Sequence, residues 1–181
     1  MYRGVFLDRD GTIAYDVNHT RTVDQFKLIP GVGEGIRLLN QGGLLVVVTT
    51  NQSGIARGYF SHNTLTMIHQ HMHEELSKQG AHIDGVYHCP HHPQDQCLCR
   101  KPKPGMVIKA SEDLRINLSE SFVVGDRDAD ILLARATGCR AIMVDTGPKN
   151  LVQTNDLADF YAPDLRSAAI WILRTLTTTV A

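Results

Sequence analysis

Short apolar runs recur along this chain, and each one stops at a polar motif. "GVFL" at 4–7 runs into "DRDGT", "LLVVVTT" at 44–50 into "NQSG", and "SFVVG" at 121–125 into "DRDAD". Runs this short and this rich in β-branched residues read as strands buried on both faces, too short for independent helices. Between them lie segments with helical signals. A helix is expected from about Gly33 to Gln41, stopped by Gly42 and Gly43. A second should start at a Ser61 cap and run to about Lys78, with Leu65, Ile68, Met72 and Leu76 on one face. Further helices are expected over Met106 to about Leu114, Asp128 to Thr137 and Leu165 to Leu176, the last burying Leu165, Ala169, Ile172 and Leu176. Further strands are expected at 85–89, 140–146 and 160–162. Strands alternating with helices predict an α/β fold of three layers, a Rossmann-like central parallel sheet with helices on both faces.

Ligands of such sheets bind beyond the carboxyl ends of the strands. The three polar motifs all sit there, so they can converge although they are far apart in sequence. No internal repeat or low-complexity linker is visible, and no insertion is long enough for a separate cap domain. The 181 residues suit one domain spanning 1–181. At 43% hydrophobic and 20% charged, the composition is that of a globular chain. A net charge of −1 gives no global basic field for nucleic acid, so a small anionic substrate needs a local cationic pocket. Asp8, Arg9 and Asp10 interrupt the first apolar run too early for a signal-peptide core. "LLVVV" falls far short of the ~20 residues that span a bilayer. A cytoplasmic monomer is therefore the expectation, with no membrane partner.

Asp8 and Asp10 are separated by a single arginine and followed by Gly11. Carboxylates this close repel one another unless a cation, proton or phosphate intervenes. Mg2+ takes oxygen ligands, often one or two carboxylates with substrate phosphate and water. Asp8 and Asp126 could supply them from different strand ends, leaving Asp10 for proton transfer. Gly11 permits a tight turn whose amides can face an anion. Alone, such an acidic pair also occurs in many solvated loops.

"CPHHPQDQCLC" holds Cys89, His91, Cys97 and Cys99. Four soft or borderline ligands at this spacing suit tetrahedral Zn2+ in a closed structural site over about 89–99. His92 could replace His91, and spacing does not separate them. The alternative is a reduced surface loop with unpaired thiols. The loop leads straight into "RKPKPGM", so zinc would hold Arg100 and Lys101 near the other motifs. Cys139 stands alone as a small buried residue. His69, His71 and His73 share no single helix face and read as ordinary surface histidines.

"DRDGT", Thr50, Lys101 and "GDRDAD" occur in an order that resembles the four signature motifs of the haloacid-dehalogenase-like (HAD) phosphohydrolases, over residues 5 to about 147. The resemblance implies that Asp8 is a nucleophile forming an aspartyl-phosphate, and that Asp10 protonates the leaving alcohol and later deprotonates water. It implies that Thr50 and Lys101 hold the phosphoryl group, and that Mg2+ binds Asp8, Asp126 and the backbone carbonyl of Asp10. Asp130 would orient Lys101 or the metal shell, or be a plain helix-surface residue.

"FLDRDGTI", "VTTNQSGIARG", "YHCPHHP", "CLCRKPKPGM" and "VVGDRDAD" resemble the capless, zinc-loop branch of that family, which acts on heptose bisphosphates and histidinol phosphate. "NQSGIARG" with "RKPKPGM" is similar to the heptose-specific members. That implies removal of the C7 phosphate of D-glycero-D-manno-heptose 1,7-bisphosphate, on the route to ADP- or GDP-heptose for lipopolysaccharide or surface glycans. Asp16 to His19 and Thr50 to Ser53, including Asn51 and Gln52, should line this small sugar-phosphate substrate. Arg100 should meet the distal phosphate or the sugar, and Arg127 a phosphate. Position 127 is Arg where the resemblance implies Lys in many relatives, and a guanidinium forks differently from an ammonium. Asn51 and Gln52 could instead bond the backbone, and Arg57 could simply pack or pair on the surface. Two alternatives stand beside this reading: a histidinol-phosphatase or other small phosphomonoesterase, and a zinc-stabilised interaction module on an inactive scaffold.

Overall fold

Strands whose side chains are apolar on both faces need cover on both sides, and parallel pairing with crossover helices supplies it. The computed structural model describes residues 1–147 and 157–178. Its six strands are β1 (Gly4–Leu7), β2 (Leu45–Asn51), β3 (Gly85–Cys89), β4 (Phe122–Gly125), β5 (Arg140–Val144) and β6 (Phe160–Ala162). They form one sheet in the order β3-β2-β1-β4-β5-β6, with every pairing parallel. The α-helices among the described residues are α1 (Val32–Gln41), α2 (His62–Ser77), α3 (Gly105–Leu114), α4 (Asp128–Thr137) and α5 (Leu165–Thr178).

The two-residue alternation of the strands sorts side chains between two cores. Val5, Leu7, Val46, Val48, Phe122 and Val124 pack with α1, α2 and α5 on one face. Phe6, Val47, Val123, Ala141 and Met143 pack with α3 and α4 on the other. The expected three layers are therefore present, and none of the described helices is long and apolar enough to cross a membrane.

Local signals place the elements well. The Ser61 hydroxyl accepts from the Thr64 N–H at 3.1 Å and caps α2. Gly138, at φ 74°, ends α4 in the left-handed conformation. The differences lie at element ends. β5 stops at Val144 rather than at 146, and β4 begins at Phe122 and ends before Asp126. Leu176 is only partly buried, whereas Leu165, Ala169 and Ile172 are fully enclosed. Trp171 stacks on Phe160 at 4.7 Å and meets Phe122 edge-on at 6.4 Å.

The chain leaves β1 toward β2 and β3 on one side, then returns to place β4 on the other. The ends of β1 and β4 thus flank the topological switch point, where a crevice opens. Register fixes the rest: Leu7 lies beside Val48 and Val124, so the residues just after these strands emerge together. Truncating Ile172, fully buried in the α5 core and remote from that crevice, should lower stability by about 2–5 kcal/mol as Ile172→Ala. Urea unfolding should show this as a lower midpoint with an unchanged slope.

Candidate active site

The turn after β1 builds the first wall. The Asp8 amide donates to the Val124 carbonyl at 3.0 Å, tying the strand end to β4. The chain then turns tightly, with Ile13 and Ala14 amides both donating to the Arg9 carbonyl. Gly11 sits at φ 91°, and a Cβ there would lie 2.3 Å from an Asp126 carboxylate oxygen. Glycine is thus required on both counts.

The second wall comes from β4 and α4. A Cβ on Gly125 would come within 2.2 Å of the Asp130 carboxyl. That clearance lets Asp130, on the first turn of α4, turn inward. Asp130 is 1% exposed, so it is no surface residue. It accepts from Lys101 Nζ at 2.7 Å and from the Arg127 amide at 3.3 Å. Lys101 Nζ also lies 2.8 Å from Asp8. Lys101 is delivered by β2: the Asn51 side chain donates to its carbonyl and accepts from its amide, at 3.2 and 3.0 Å.

One buried ammonium therefore bridges two carboxylates, and a third lies beside them. Oxygens of Asp8, Asp126 and Asp130 all lie within 4.8 Å of one another. Burial pushes Asp8 up to about 7, with Lys101 opposing and Asp130 and Asp126 adding to the rise. Burial and then Asp130 push Asp126 up to about 6, with Arg127 opposing. Burial works against the Lys101 ammonium, but Asp130 and Asp8 outweigh it and hold its pKa above the usual range. Among the described residues, both Asp126 carboxylate oxygens are buried without a hydrogen bond, and the cation paired with them, Arg127 Nε, is 3.6 Å away. Enclosed, under-partnered carboxylates converging on one point are the donor set a hard divalent cation takes, and such a cation would draw their pKa values back down.

A cleft of about 240 Å³ opens above this cluster. Asp8, Asp10, Thr50 and Lys101 line it, as do Asp16, His19, Asn51, Gln52, Ser53, Arg100 and Arg127. The predicted substrate residues thus share one cleft, but several are already engaged. Asn51 is held by the Lys101 backbone, one of the alternatives open in the sequence. Gln52 Nε2 donates to Asp10 and to the Thr50 hydroxyl, both at 2.8 Å. Arg127 pairs closely with Asp16 across the cleft. Arg100 keeps a buried guanidinium nitrogen, Nη1, with no partner among the described residues. His19, at φ 77°, packs edge-on to Tyr59 at 5.3 Å, and Arg57 is exposed.

Arg9 and His69 escaped the sequence reading. Arg9 is fully buried beneath Asp10, and its Nη1 lies 3.2 Å from His69 Nε2. His69 is therefore not a surface histidine. Arg9 carried a signal in principle, since an arginine wedged at the end of a doubly buried strand has no path to water. His69 carried none, because its partner lies 60 residues away.

The cysteine loop gathers a second cluster. Cys89 Sγ lies 3.5 Å from both His91 Nδ1 and Cys97 Sγ, and Cys99 Sγ lies 3.2 Å from His91 Nδ1 and 3.6 Å from Cys97 Sγ. These are too long for a disulfide, at about 2 Å. They are near the roughly 3.8 Å between sulfurs each ~2.3 Å from a tetrahedral centre. His92 points elsewhere, accepting from the Gln94 amide in a short 3-10 turn. The loop is tied to β2 and the turn after it, with Gln52 and Ala56 amides donating to the Cys89 and Pro90 carbonyls.

Comparison with known proteins agrees with this geometry. A family model described as HAD-hydrolase-like matches residues 98–168. The D-glycero-beta-D-manno-heptose-1,7-bisphosphate 7-phosphatase of Pasteurella multocida is 41% identical over 154 residues, covering 81% of this chain and 84% of that protein. The enzyme of the same name from Escherichia coli K12 is 38% identical over 179 residues, covering 95% and 88%. The crystal structure of D,D-heptose 1,7-bisphosphate phosphatase from B. bronchiseptica, complexed with magnesium and phosphate, superposes with a TM-score of 0.89 at 34% identity, covering 96% of this chain and 99% of that one. Identity at this level over most of both chains reflects common descent, and the chain belongs to the HAD-like hydrolase family.

Proposed function

We propose that this chain is a Mg2+-dependent phosphatase that removes the C7 phosphate of D-glycero-D-manno-heptose 1,7-bisphosphate, leaving heptose 1-phosphate. The observation that carries this reading is Lys101 Nζ bound between Asp8 and Asp130, beside an Asp126 carboxylate that accepts no hydrogen bond among the described residues. Asp8, Asp126 and the backbone carbonyl of Asp10 would hold Mg2+. When bound, the ion offsets phosphate charge so that an anionic carboxylate can approach an anionic ester.

The chain's own groups supply the remaining chemistry. An Asp8 oxygen attacks phosphorus while the bond to the leaving oxygen breaks, giving an aspartyl-phosphate. Asp10 gives its proton to that oxygen, then takes one from the water that hydrolyses the intermediate. The Thr50 hydroxyl and the Lys101 ammonium hold the transferring oxygens, and Asp130 keeps Lys101 in place. Arg100 and Arg127 face the rest of the substrate, with Asp16, His19 and Ser53 against the sugar.

Arg100 supports one of the two substrates under consideration over the other. A buried guanidinium nitrogen without a partner among the described residues favours a second anionic group. Heptose bisphosphate has one, whereas histidinol phosphate carries an ammonium instead. The same names among relatives support the heptose reading, and with it a place in ADP- or GDP-heptose supply for lipopolysaccharide or surface glycans.

Cys89, His91, Cys97 and Cys99 would bind Zn2+. Burial pushes the Cys89 thiol up, so three thiolates need a cation to coexist there. Reduced thiols also fit a cytoplasmic setting.

Asp8→Asn should lower phosphate release more than about a thousandfold while circular dichroism stays native; near-normal turnover would refute the nucleophile. Replacing Cys97 and Cys99 with Ala should abolish bound zinc by elemental mass analysis, and unchanged zinc content would rule the site out. In side-by-side assays, kcat/KM for the heptose bisphosphate should exceed that for histidinol phosphate by at least about tenfold, the factor worth 1.4 kcal/mol. The reverse order would transfer the assignment to histidinol phosphate.

A further inference from the structure

Arg9 has no task in the reaction above, yet it is among the most completely enclosed large side chains of the protein. Burying a guanidinium is costly unless its N–H groups are matched. Here Nε and Nη2 donate to Asp10 Oδ1 at 3.1 and 3.0 Å, and Nη2 also to Oδ2 at 2.8 Å. The remaining nitrogen, Nη1, faces His69 Nε2 at 3.2 Å. A guanidinium has donors only, so His69 Nε2 must accept and its ring proton must sit on Nδ1.

His69 suits that task. Burial first, then Arg9, His88 and His73, push it down to about 3, so it stays a neutral acceptor. It projects from α2, whose Ile68 and Met72 are locked in the core. The linkage therefore runs from a rigid helix through Arg9 to a carboxylate in the cleft. Gln52 at 2.8 Å and Thr20 at 3.4 Å complete the hold on Asp10.

We propose that Arg9, held by His69, is a positioning residue that sets the orientation of the Asp10 carboxylate and so its proton transfer to the leaving oxygen. This rests on the reading of Asp10 as the general acid. When the phosphorus–oxygen bond breaks, the electron pair stays on the leaving oxygen. A sugar alkoxide needs the Asp10 proton at that moment, whereas p-nitrophenolate spreads the charge over its ring and does not. A misaimed Asp10 therefore penalises the sugar ester selectively, and general loss of structure penalises both esters alike.

The test measures kcat/KM on D-glycero-D-manno-heptose 1,7-bisphosphate and on p-nitrophenyl phosphate for the wild type, Asp10→Asn, Arg9→Met, His69→Leu and His69→Gln. General acids contribute roughly 10²–10⁴-fold, so Arg9→Met and His69→Leu should lower the sugar-to-nitrophenyl ratio at least about tenfold. His69→Gln, which keeps an acceptor, should restore most of it. A selective loss in Asp10→Asn without one in Arg9→Met and His69→Leu overturns the proposal for Arg9. No selective loss in Asp10→Asn overturns the general-acid reading, and this proposal with it. If Arg9→Met fails to fold, the His69 pair decides alone, and equal ratios for Leu and Gln overturn it.

Discussion

A single buried ammonium organises this molecule. Lys101 Nζ lies within 2.8 Å of carboxylates from the end of β1 and the start of α4, and a third carboxylate closes in from the end of β4. Enclosed charges of one sign are tolerable only where geometry brings opposite charge to hydrogen-bond distance. Much of the surrounding backbone serves that requirement. Asn51 grips the Lys101 peptide on both sides, and Gly11 and Gly125 clear room for Asp126 and Asp130. The sheet order puts β1 and β4 side by side, which is why two distant aspartates can meet at all.

The same economy shapes the cleft. Among the described residues, its walls come from turns and from the loop after β3. That loop has no core of its own, and its Cys and His side chains gather where a metal would replace one. It is anchored to the turn after β2 by backbone bonds and to the start of α3 by the Gly105 amide on the Leu98 carbonyl at 3.1 Å. Arg100 and Lys101 therefore project from a segment fixed at both ends. Positioning precision of this kind is what phosphoryl transfer demands, since the protein contributes placement and charge more than covalent chemistry.

Many individual predictions turn on what surrounds each residue. Ser61, Gly138 and the Val-rich runs announced their elements because capping, left-handed termination and β-branching are local properties. The gathering of Cys89, His91, Cys97 and Cys99 was legible because their short spacing in the chain keeps the four side chains within reach of one another. Asp130 stayed open because a helix-surface aspartate and a buried lysine partner look identical in one dimension. Asn51 stayed open for a similar reason: an amide can serve a sugar or a backbone equally well. His69 was misread, because helical periodicity places it beside the apolar stripe without revealing that a buried arginine waits opposite.

By itself, then, the sequence determined the parallel α/β frame, the strand ends at which polar motifs converge and the identity of the groups gathered there. Periodicity, turn residues and motif order encode these within a few residues of chain. Tertiary structure alone decided who pairs with whom: Arg9 with His69, Arg127 with Asp16, Asn51 with the Lys101 peptide, and His91 rather than His92 with the thiols. A hydrogen bond depends on angstrom-scale distance and direction, and residues dozens of positions apart acquire those only once the sheet and its helices have packed.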